Sequence, residues 1–365
     1  MINIIGAGPA GLYAAYLLAR EGKEVNVFEE HDEIGSPVHC TGIVTSSILD
    51  IVSIKKEAIV NKVKAARVFS PEGKFSDFNL KNENLILDRK RFEQDLAANA
   101  KKAGANIFLE SKFLGLDKDK VIIEDKKSKK IKKLKSGILI GADGPNSGVA
   151  KSCGMYGERD FYIGIQARVR IKNNPDIFEV HLGKVAPGFF AWLVPEDEKT
   201  ARVGLAVKNN PAIYLDRLLK DKKIKNKDII EKQGGLIPVY RQGLKIKKNN
   251  AYLVGDSACQ VKATTGGGLV HGLSAAKILA DCISNGRDYE KTCNQKISKD
   301  LWMALKIRQA LNKFSDEDYN RLISILSKEE NKRIIEELDR DYPSKFALRL
   351  LLKEPSLMLF ATKLF

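Results

Sequence analysis

An α/β fold is what this sequence predicts, and three observations predict it. A glycine-rich βαβ unit opens the chain, a block of alternating strands interrupts it from about Phe161 to Leu244, and the remainder reads as helix. The opening unit comes first. Ile2, Ile4 and Ile5 form a short apolar run, followed by Gly6-Ala7-Gly8-Pro9-Ala10-Gly11 and an alanine- and leucine-rich helical segment. A second run, Val25-Asn26-Val27-Phe28, ends in Glu29. The pattern is G-x-G-x-x-G in register with strand, helix and second strand. Gly6 suits the tight turn, Gly8 lets a pyrophosphate approach the backbone, and Gly11 lets helix and strand pack closely. The helix N-terminus offers free N–H groups to phosphate. Glu29 lies eighteen positions after Gly11, near the spacing of a carboxylate that takes a ribose hydroxyl. That acid disfavours a 2′-phosphate, so FAD or NAD is expected rather than NADP.

Beyond Glu29, residues 31–44 are rich in turn formers and hold Pro37-Val38-His39-Cys40-Thr41-Gly42. Val60 to Leu80 suggests strands joined at Pro71-Glu72-Gly73. Asp88-Arg89-Lys90-Arg91-Phe92 leads into a helix through Lys102, closed by Gly104. Strands are expected at Ile107 to Leu109, at Val121 to Glu124 and at Ile138 to Ile140, the last entering Gly141-Ala142-Asp143-Gly144. Within the alternating block, strands fall at Ile163 to Ile171, Phe178 to Leu182, Gly188 to Val194 and Ala201 to Val207, with a helix from Ala212 to Lys220. A buried strand returns at Ala251 to Val254, before Gly255-Asp256 and Thr264-Thr265-Gly266-Gly267-Gly268, and a helix continues to Asn285. Helices are then expected over Cys293 to Phe314, Glu317 to Leu326, Glu330 to Asp339 and from Ser344 on.

Bulk properties are those of an ordinary globular chain, 44% hydrophobic and 30% charged. Met1 stands one residue before the first strand, so no signal peptide is expected, and no apolar run is long enough to cross a bilayer. The five cysteines lack a C-x-x-C pair, which fits a reducing cytoplasm without disulfides or a metal. His31, His39, His181 and His271 have no ligand spacing. The net charge of +16 permits attraction to anionic membrane or a phosphorylated substrate and equally fits a lysine-rich composition; no nucleic-acid partner is expected. The lysine run from Lys126 to Lys135 reads as the solvated end of a hairpin, or as a face for anionic lipid. The apolar tail from Phe346 to Leu352, broken by Pro355 and resumed at Leu357, reads as a helix packed on the core or one lying at a membrane interface.

Asp143 and Asp256 each come after a strand and beside a glycine, where a carboxylate can take a sugar hydroxyl while the backbone approaches a ligand. Either alone is an ordinary strand end. Together with the opening unit, they resemble the three signatures of the p-hydroxybenzoate hydroxylase fold: Gly6 to Gly11, Gly141 to Ser147, and Gly255-Asp256. Arg89 matches the arginine that this fold directs at the flavin nucleotide. The resemblance implies FAD, a Rossmann-type FAD-binding domain over 1–59, 85–155 and 248–290, an inserted, mainly antiparallel substrate sheet over 60–84 and 156–247, and a C-terminal helical region over 291–365.

Within that fold the chain resembles the geranylgeranyl reductase family. Pro37 to Gly42 is similar to its cysteine loop beside the flavin, and Pro187-Gly188-Phe189-Phe190-Ala191-Trp192-Leu193-Val194-Pro195 to the stretch lining its prenyl pocket. Phe190 and Val194 stand where the family usually has tyrosine and phenylalanine; Cys259 and Ala263 replace a glycine and a proline. The resemblance implies a reductase that saturates isoprenoid double bonds of a phospholipid, at the membrane surface. Cofactor contacts then fall on Gly6, Gly8, Ala10, Gly11, Glu29, Cys40, Gly42, Arg89, Asp143, Gly144, Asp256, Gly266, Gly267 and Gly268. Cys40 would be the proton donor. Phe189, Phe190, Trp192 and Val194 are expected on one strand, so Phe190, Trp192 and Val194 share a face by period two, and that face suits either an isoprenoid chain or plain sheet core. No nicotinamide site is evident, so the electron donor, reduced ferredoxin or NAD(P)H, would be external. An aromatic monooxygenase and a membrane-surface electron-transfer protein are the alternatives.

Overall fold

The computed structural model of the protein describes residues 1–337, 339–345, 347–361 and 363. Its organising layer is a six-stranded sheet in the order Lys247–Lys248, Ala251–Leu253, Ile138–Gly141, Ile2–Ile5, Val25–Phe28, Asn106–Phe108. All neighbours are parallel except the two-residue edge strand Lys247–Lys248. The central strand Ile2–Ile5 is buried along its whole length, Asn3 included, as expected for a sheet covered on both faces. Helices Pro9–Arg20, Arg89–Lys102 and Leu269–Asn285 share one core with it, through Leu12, Leu18, Phe92, Leu96, Leu273 and Leu279.

The register decides where chemistry can sit. Ile5 pairs with both Gly141 and Phe28, and Gly141 pairs with Leu253. Four strands therefore end in one row, and the chain leaves them through Gly6, Ala142-Asp143, Glu29 and Val254-Gly255-Asp256. The carboxyl edge of a parallel sheet is where the chain leaves a crevice for ligand.

An eight-stranded sheet stands against that edge, in the order Ile229–Pro238, Phe161–Arg170, Thr200–Val207, Ala191–Pro195, Ile177–His181, Ile59–Phe69, Phe75–Leu87, Ile43–Val44. It is antiparallel apart from the parallel pairing of Ile177–His181 with Ile59–Phe69. Helix Pro211–Asp221 covers one face through Leu215, Leu218 and Leu219.

Three expectations are corrected. The strand placed at Gly188 to Val194 runs instead over Ala191–Pro195, so Phe189 and Phe190 precede it. Gly188 sits at φ +78°, outside strand geometry, and delays the strand. The helix expected over Cys293 to Phe314 breaks at Ile297 into Tyr289–Lys296 and Ser298–Leu311. The tail breaks at Pro355 as expected, but it is divided further than the helix expected from Ser344 on, into the short turns Pro343–Lys345, Ala347–Lys353, Pro355–Leu357 and Met358–Ala361. Leu350, Leu351, Leu357 and Phe360 pack with Phe314, Leu322 and Ile325, which favours the core-packed reading. Phe346 and the last two residues lie outside the described residues. The lysine run supplies both the exposed turn 126–130 and the edge strand Ile131–Lys135 that pairs with Lys120–Asp125 in a separate three-stranded sheet.

Candidate FAD-binding site

At the row of strand ends the glycines are dictated by neighbours. A side chain on Gly6, whose φ is +99°, would stand 2.4 Å from the Ala142 carbonyl oxygen. One on Gly11 would stand 2.2 Å from the Gly6 carbonyl oxygen, so the helix could not seat against its own turn. Gly8 faces open space within 4 Å and caps the first helix without any side-chain bond. That is bare backbone at a positive helix end, a place for phosphate. Ala10 is small because the Gly255 backbone packs on it; a side chain on Gly255 would meet its Cβ at 2.9 Å.

The carboxylates divide their work. Glu29 accepts from the Ala7 N–H at 2.7 Å and the His31 N–H at 3.1 Å, and the His31 ring lies 2.6 Å away. Asp143 accepts from the Ser147 hydroxyl at 2.6 Å and the Val149 N–H at 3.0 Å, so both its oxygens first hold their own corner together. Asp256 differs. Burial pushes it up to about 6 despite Arg89, and no donor among the described residues bonds its carboxylate. A half-buried acid that faces the cleft without a donor is a side chain that a ligand hydroxyl can satisfy.

Arg89 begins its helix directly after Asp88, whose carboxylate caps the Arg91 N–H at 3.0 Å. Its guanidinium donates to Glu93 at 2.5 Å and faces Cys40, while its buried Nε has no partner. Burial opposes the charge, yet Glu93 and Cys40 hold the group above its ordinary value. The cysteine loop is held from the eight-stranded sheet. His39 bonds the Gly234 carbonyl at 2.6 Å, and the Thr41 hydroxyl donates to Gln166 at 2.8 Å. Arg202 donates to the Thr41 and Leu87 carbonyls. Gly42 sits at φ +78°, where a side chain would meet the Leu87 carbonyl at 2.6 Å and Arg202 at 2.8 Å.

These corners enclose a cleft of about 710 Å³. Gly6, Gly8, Ala10, Glu29, Cys40, Arg89, Asp143, Gly144, Asp256, Gly266 and Gly268 line it. Gly11, Gly42 and Gly267 do not; the first two act by close packing behind the wall. Phe190, Trp192 and Val194 also stand outside it. Trp192 is half-buried and donates to Gln166 at 3.2 Å, Phe190 packs edge-on against it, and Val194 is buried with Val63, Ile86 and Phe178. Val194 is therefore sheet core. Sequence reasoning missed the backbone of Gly235 to Pro238, which lines the cleft, and Gln166 and Arg202, which hold the cysteine loop. No local motif marks them, because their partners lie more than a hundred residues away in sequence.

A family profile described as FAD binding domain matches residues 1–206. A digeranylgeranylglycerophospholipid reductase of Methanocaldococcus jannaschii is 30% identical, covering 98% of this chain and 96% of its own. The chain belongs to that family. A second digeranylgeranylglycerophospholipid reductase, from Methanosarcina acetivorans, is 31% identical over 89% of this chain and 88% of its own. Among solved structures, a geranylgeranyl bacteriochlorophyll reductase-like protein from Thermoplasma acidophilum superposes with a TM-score of 0.85 at 24% identity, covering 100% of this chain and 98% of its own. The flavin-dependent halogenase CmlS superposes at 0.70 and 16% identity, over 97% of this chain and 78% of its own. These two establish the fold, which is the FAD-binding α/β fold expected.

Family membership makes this an FAD-dependent oxidoreductase, and the residues present fit that cofactor. The open backbone at Gly8, the donorless Asp256 and the orphaned Nε of Arg89 are three unmet polar needs around one cleft. No helix among the described residues is long and apolar enough to cross a membrane.

Proposed function

We propose that this protein saturates the isoprenoid C=C bonds of geranylgeranylated ether phospholipids. The reading rests on its relatives' full-length similarity and on one observation. The Cys40 loop is stapled through Thr41 and Gln166 to Trp192, so the thiol and the Arg89 guanidinium that line the cleft are tied to an aromatic patch standing just outside it. FAD, when bound and reduced, supplies the hydride. The chain's own part is to bind, to keep water out and to move one proton. Glu29, Gly8 and Ala10 take the nucleotide, with Asp256 and Arg89 along the cleft. The Cys40 thiol gives its proton to the second alkene carbon, and Arg89 beside it stabilises the thiolate left behind. Trp192 and Phe190 offer an apolar surface, worth about 0.8 kcal/mol for each CH₂ taken from water.

An external donor, reduced ferredoxin or NAD(P)H, reloads the flavin, and the protein works peripherally at the inner membrane surface where its substrate lies. The test is anaerobic. The FAD-loaded protein is reduced with dithionite and given geranylgeranylated phospholipid, and the lipid is weighed by mass spectrometry. A gain of two hydrogens per alkene is expected; unchanged lipid refutes the reading, and a product that needs oxygen supports the monooxygenase instead. Cys40→Ala slows product formation while FAD stays bound; unaltered turnover removes Cys40 from the mechanism.

A further inference from the structure

Arg308, on the helix Ser298–Leu311, is 3% exposed, and among the described residues it makes no ion pair. Its guanidinium donates to backbone carbonyls of two separate loops: Ala263 at 3.1 Å and Thr264 at 2.5 Å, and Gly188 at 3.3 Å. It stacks 4.4 Å from the Phe189 ring. Asn312, one turn on, faces Gly188 and the Tyr162 hydroxyl. The titratable groups that face it are the Tyr162 and Tyr319 phenols. A buried charge without a counter-ion is expensive. Carbonyl dipoles satisfy its donors but leave the unit charge in place.

The surroundings say where that charge acts. Ala263 and Thr264 lead into Gly266 and Gly268, which line the cleft, and a side chain on Gly266 would meet Phe189 at 3.4 Å. The helix Leu269–Asn285 starts there with no side-chain cap. Glu29 and the Gly8 corner claim the adenylate half of FAD, so the stretch from Cys40 to Gly266 and Leu269 remains for the flavin ring. Arg308 thus stands one residue layer behind the ring's end of the cleft, in a medium that screens charge poorly.

We propose that Arg308 is a positioning residue for the cofactor that raises its reduction potential: its unneutralised charge, fixed behind the Ala263–Gly266 loop, favours the anionic reduced flavin over the neutral oxidised form. The same guanidinium ties that loop to the one carrying Phe189 and Phe190, so ring and aromatic wall are held together. The inference rests on FAD occupying the cleft and not on the identity of the lipid, and no arm of its test measures lipid reduction. A failed lipid assay therefore leaves it standing, and its own failure leaves the lipid assay untouched.

The test is an anaerobic redox titration of FAD-loaded wild type, Arg308→Lys and Arg308→Met against a reference dye. Met removes the charge and should weaken binding of reduced relative to oxidised flavin about tenfold, roughly 30 mV in a two-electron couple. Lys keeps the charge and should move the potential by no more than a third of that. A merely structural role lowers the unfolding temperature of both variants and moves neither potential, and that result overturns the proposal. So does a Lys variant shifted as far as Met. Should the variants fail to fold or to hold FAD, the wild type decides: its reduced flavin is monitored by absorbance from about pH 8 down to about pH 5.5. The anionic spectrum should persist to lower pH than in free reduced FAD; protonation at the same pH as the free cofactor overturns the proposal.

Discussion

Asp341→Asn tests how the C-terminal segment bears on the cleft. Asp341 is 5% exposed and pairs with Lys262, which is 1% exposed; Lys262 also donates to the Arg340 carbonyl at 3.0 Å, and the Thr45 hydroxyl donates to Asp341 at 2.7 Å. Two charged groups at close contact attract by about 4 kcal/mol at an effective dielectric near 20. Removing one partner leaves the other charge buried and alone, a loss of about 3–5 kcal/mol. Against a total stability of roughly 5–15 kcal/mol, that is a large share. Lys262 also closes the cofactor turn, since its N–H donates to the Gly267 carbonyl at 3.1 Å and its carbonyl accepts from the Gly266 N–H at 2.9 Å. Denaturant unfolding should therefore lose about 3–5 kcal/mol in Asp341→Asn, with FAD affinity falling too. The double variant Lys262→Met with Asp341→Leu should recover most of the stability, because an apolar pair avoids desolvating two ions. The pH response has a definite sign. Burial pushes Asp341 up, but Lys262 and then Arg340 pull it well below the usual carboxylate range. Its contribution is present above about pH 4 and lost as pH falls below. A single variant that loses less than about 1 kcal/mol, or a double variant as unstable as the single, refutes this account.

Three further outcomes are expected. Asp256 is held at about 6 by burial, and a ligand hydroxyl favours its ionised form. FAD affinity measured by fluorescence should rise with pH up to about 6 and then level off, while the FAD-free protein loses stability between about pH 4 and pH 6; Asp256→Asn should flatten both curves. Gly11→Ala places a methyl 2.2 Å from the Gly6 carbonyl oxygen, so FAD titration should show affinity falling by at least about tenfold, with the purified protein colourless. Burial raises Glu179, but His181 at 2.9 Å and Lys222 at 2.8 Å overcome it and hold it at about 2. Thermal unfolding should show stability lost as pH falls from about 4.5 toward 2, and Glu179→Gln should remove that slope.

The cofactor side was legible because each corner is local. Gly6 to Gly11 is a turn and a helix start within six residues, and Asp143 and Asp256 each come after a strand marked by an apolar run. The register that aligns them is set by sheet order, which Ile2–Ile5, Ile138–Gly141 and Ala251–Leu253 carry only as three separate apolar runs. The substrate side was less legible. The aromatic stretch 189–194 read as one strand face, yet Gly188 turns the chain and leaves only Trp192 and Val194 on the strand. Val194 then points into Val63, Ile86 and Phe178, strands that no spacing rule connects to it. Arg308 was invisible for a different reason. One arginine on an amphipathic helix looks like a solvated charge until the fold buries it.

The hydrogen bonds around Glu196 tie the cysteine loop and the strand before Arg89 to the eight-stranded sheet. Glu196 is buried and accepts from Arg168 and from Arg202, each at 2.7 Å. Arg202 reaches on to the Thr41 and Leu87 carbonyls, one residue after Cys40 and two before Arg89. The eight-stranded sheet thus sets the backbone that carries both the thiol and its guanidinium. Gly204 lets Gln166 lie flat against the sheet, since a side chain there would stand 2.4 Å from the Gln166 Cβ, and Gln166 in turn takes Thr41 and Trp192. A change in the substrate wall is therefore felt at the cysteine loop through two independent bonds to one residue, Thr41. Loss of either alone leaves Thr41 tethered; loss of both leaves the loop on the His39 bond to the Gly234 carbonyl and the Leu87 N–H bond to the Gly42 carbonyl, so substitutions at Gln166 and Arg202 should be more than additive in their effect on turnover.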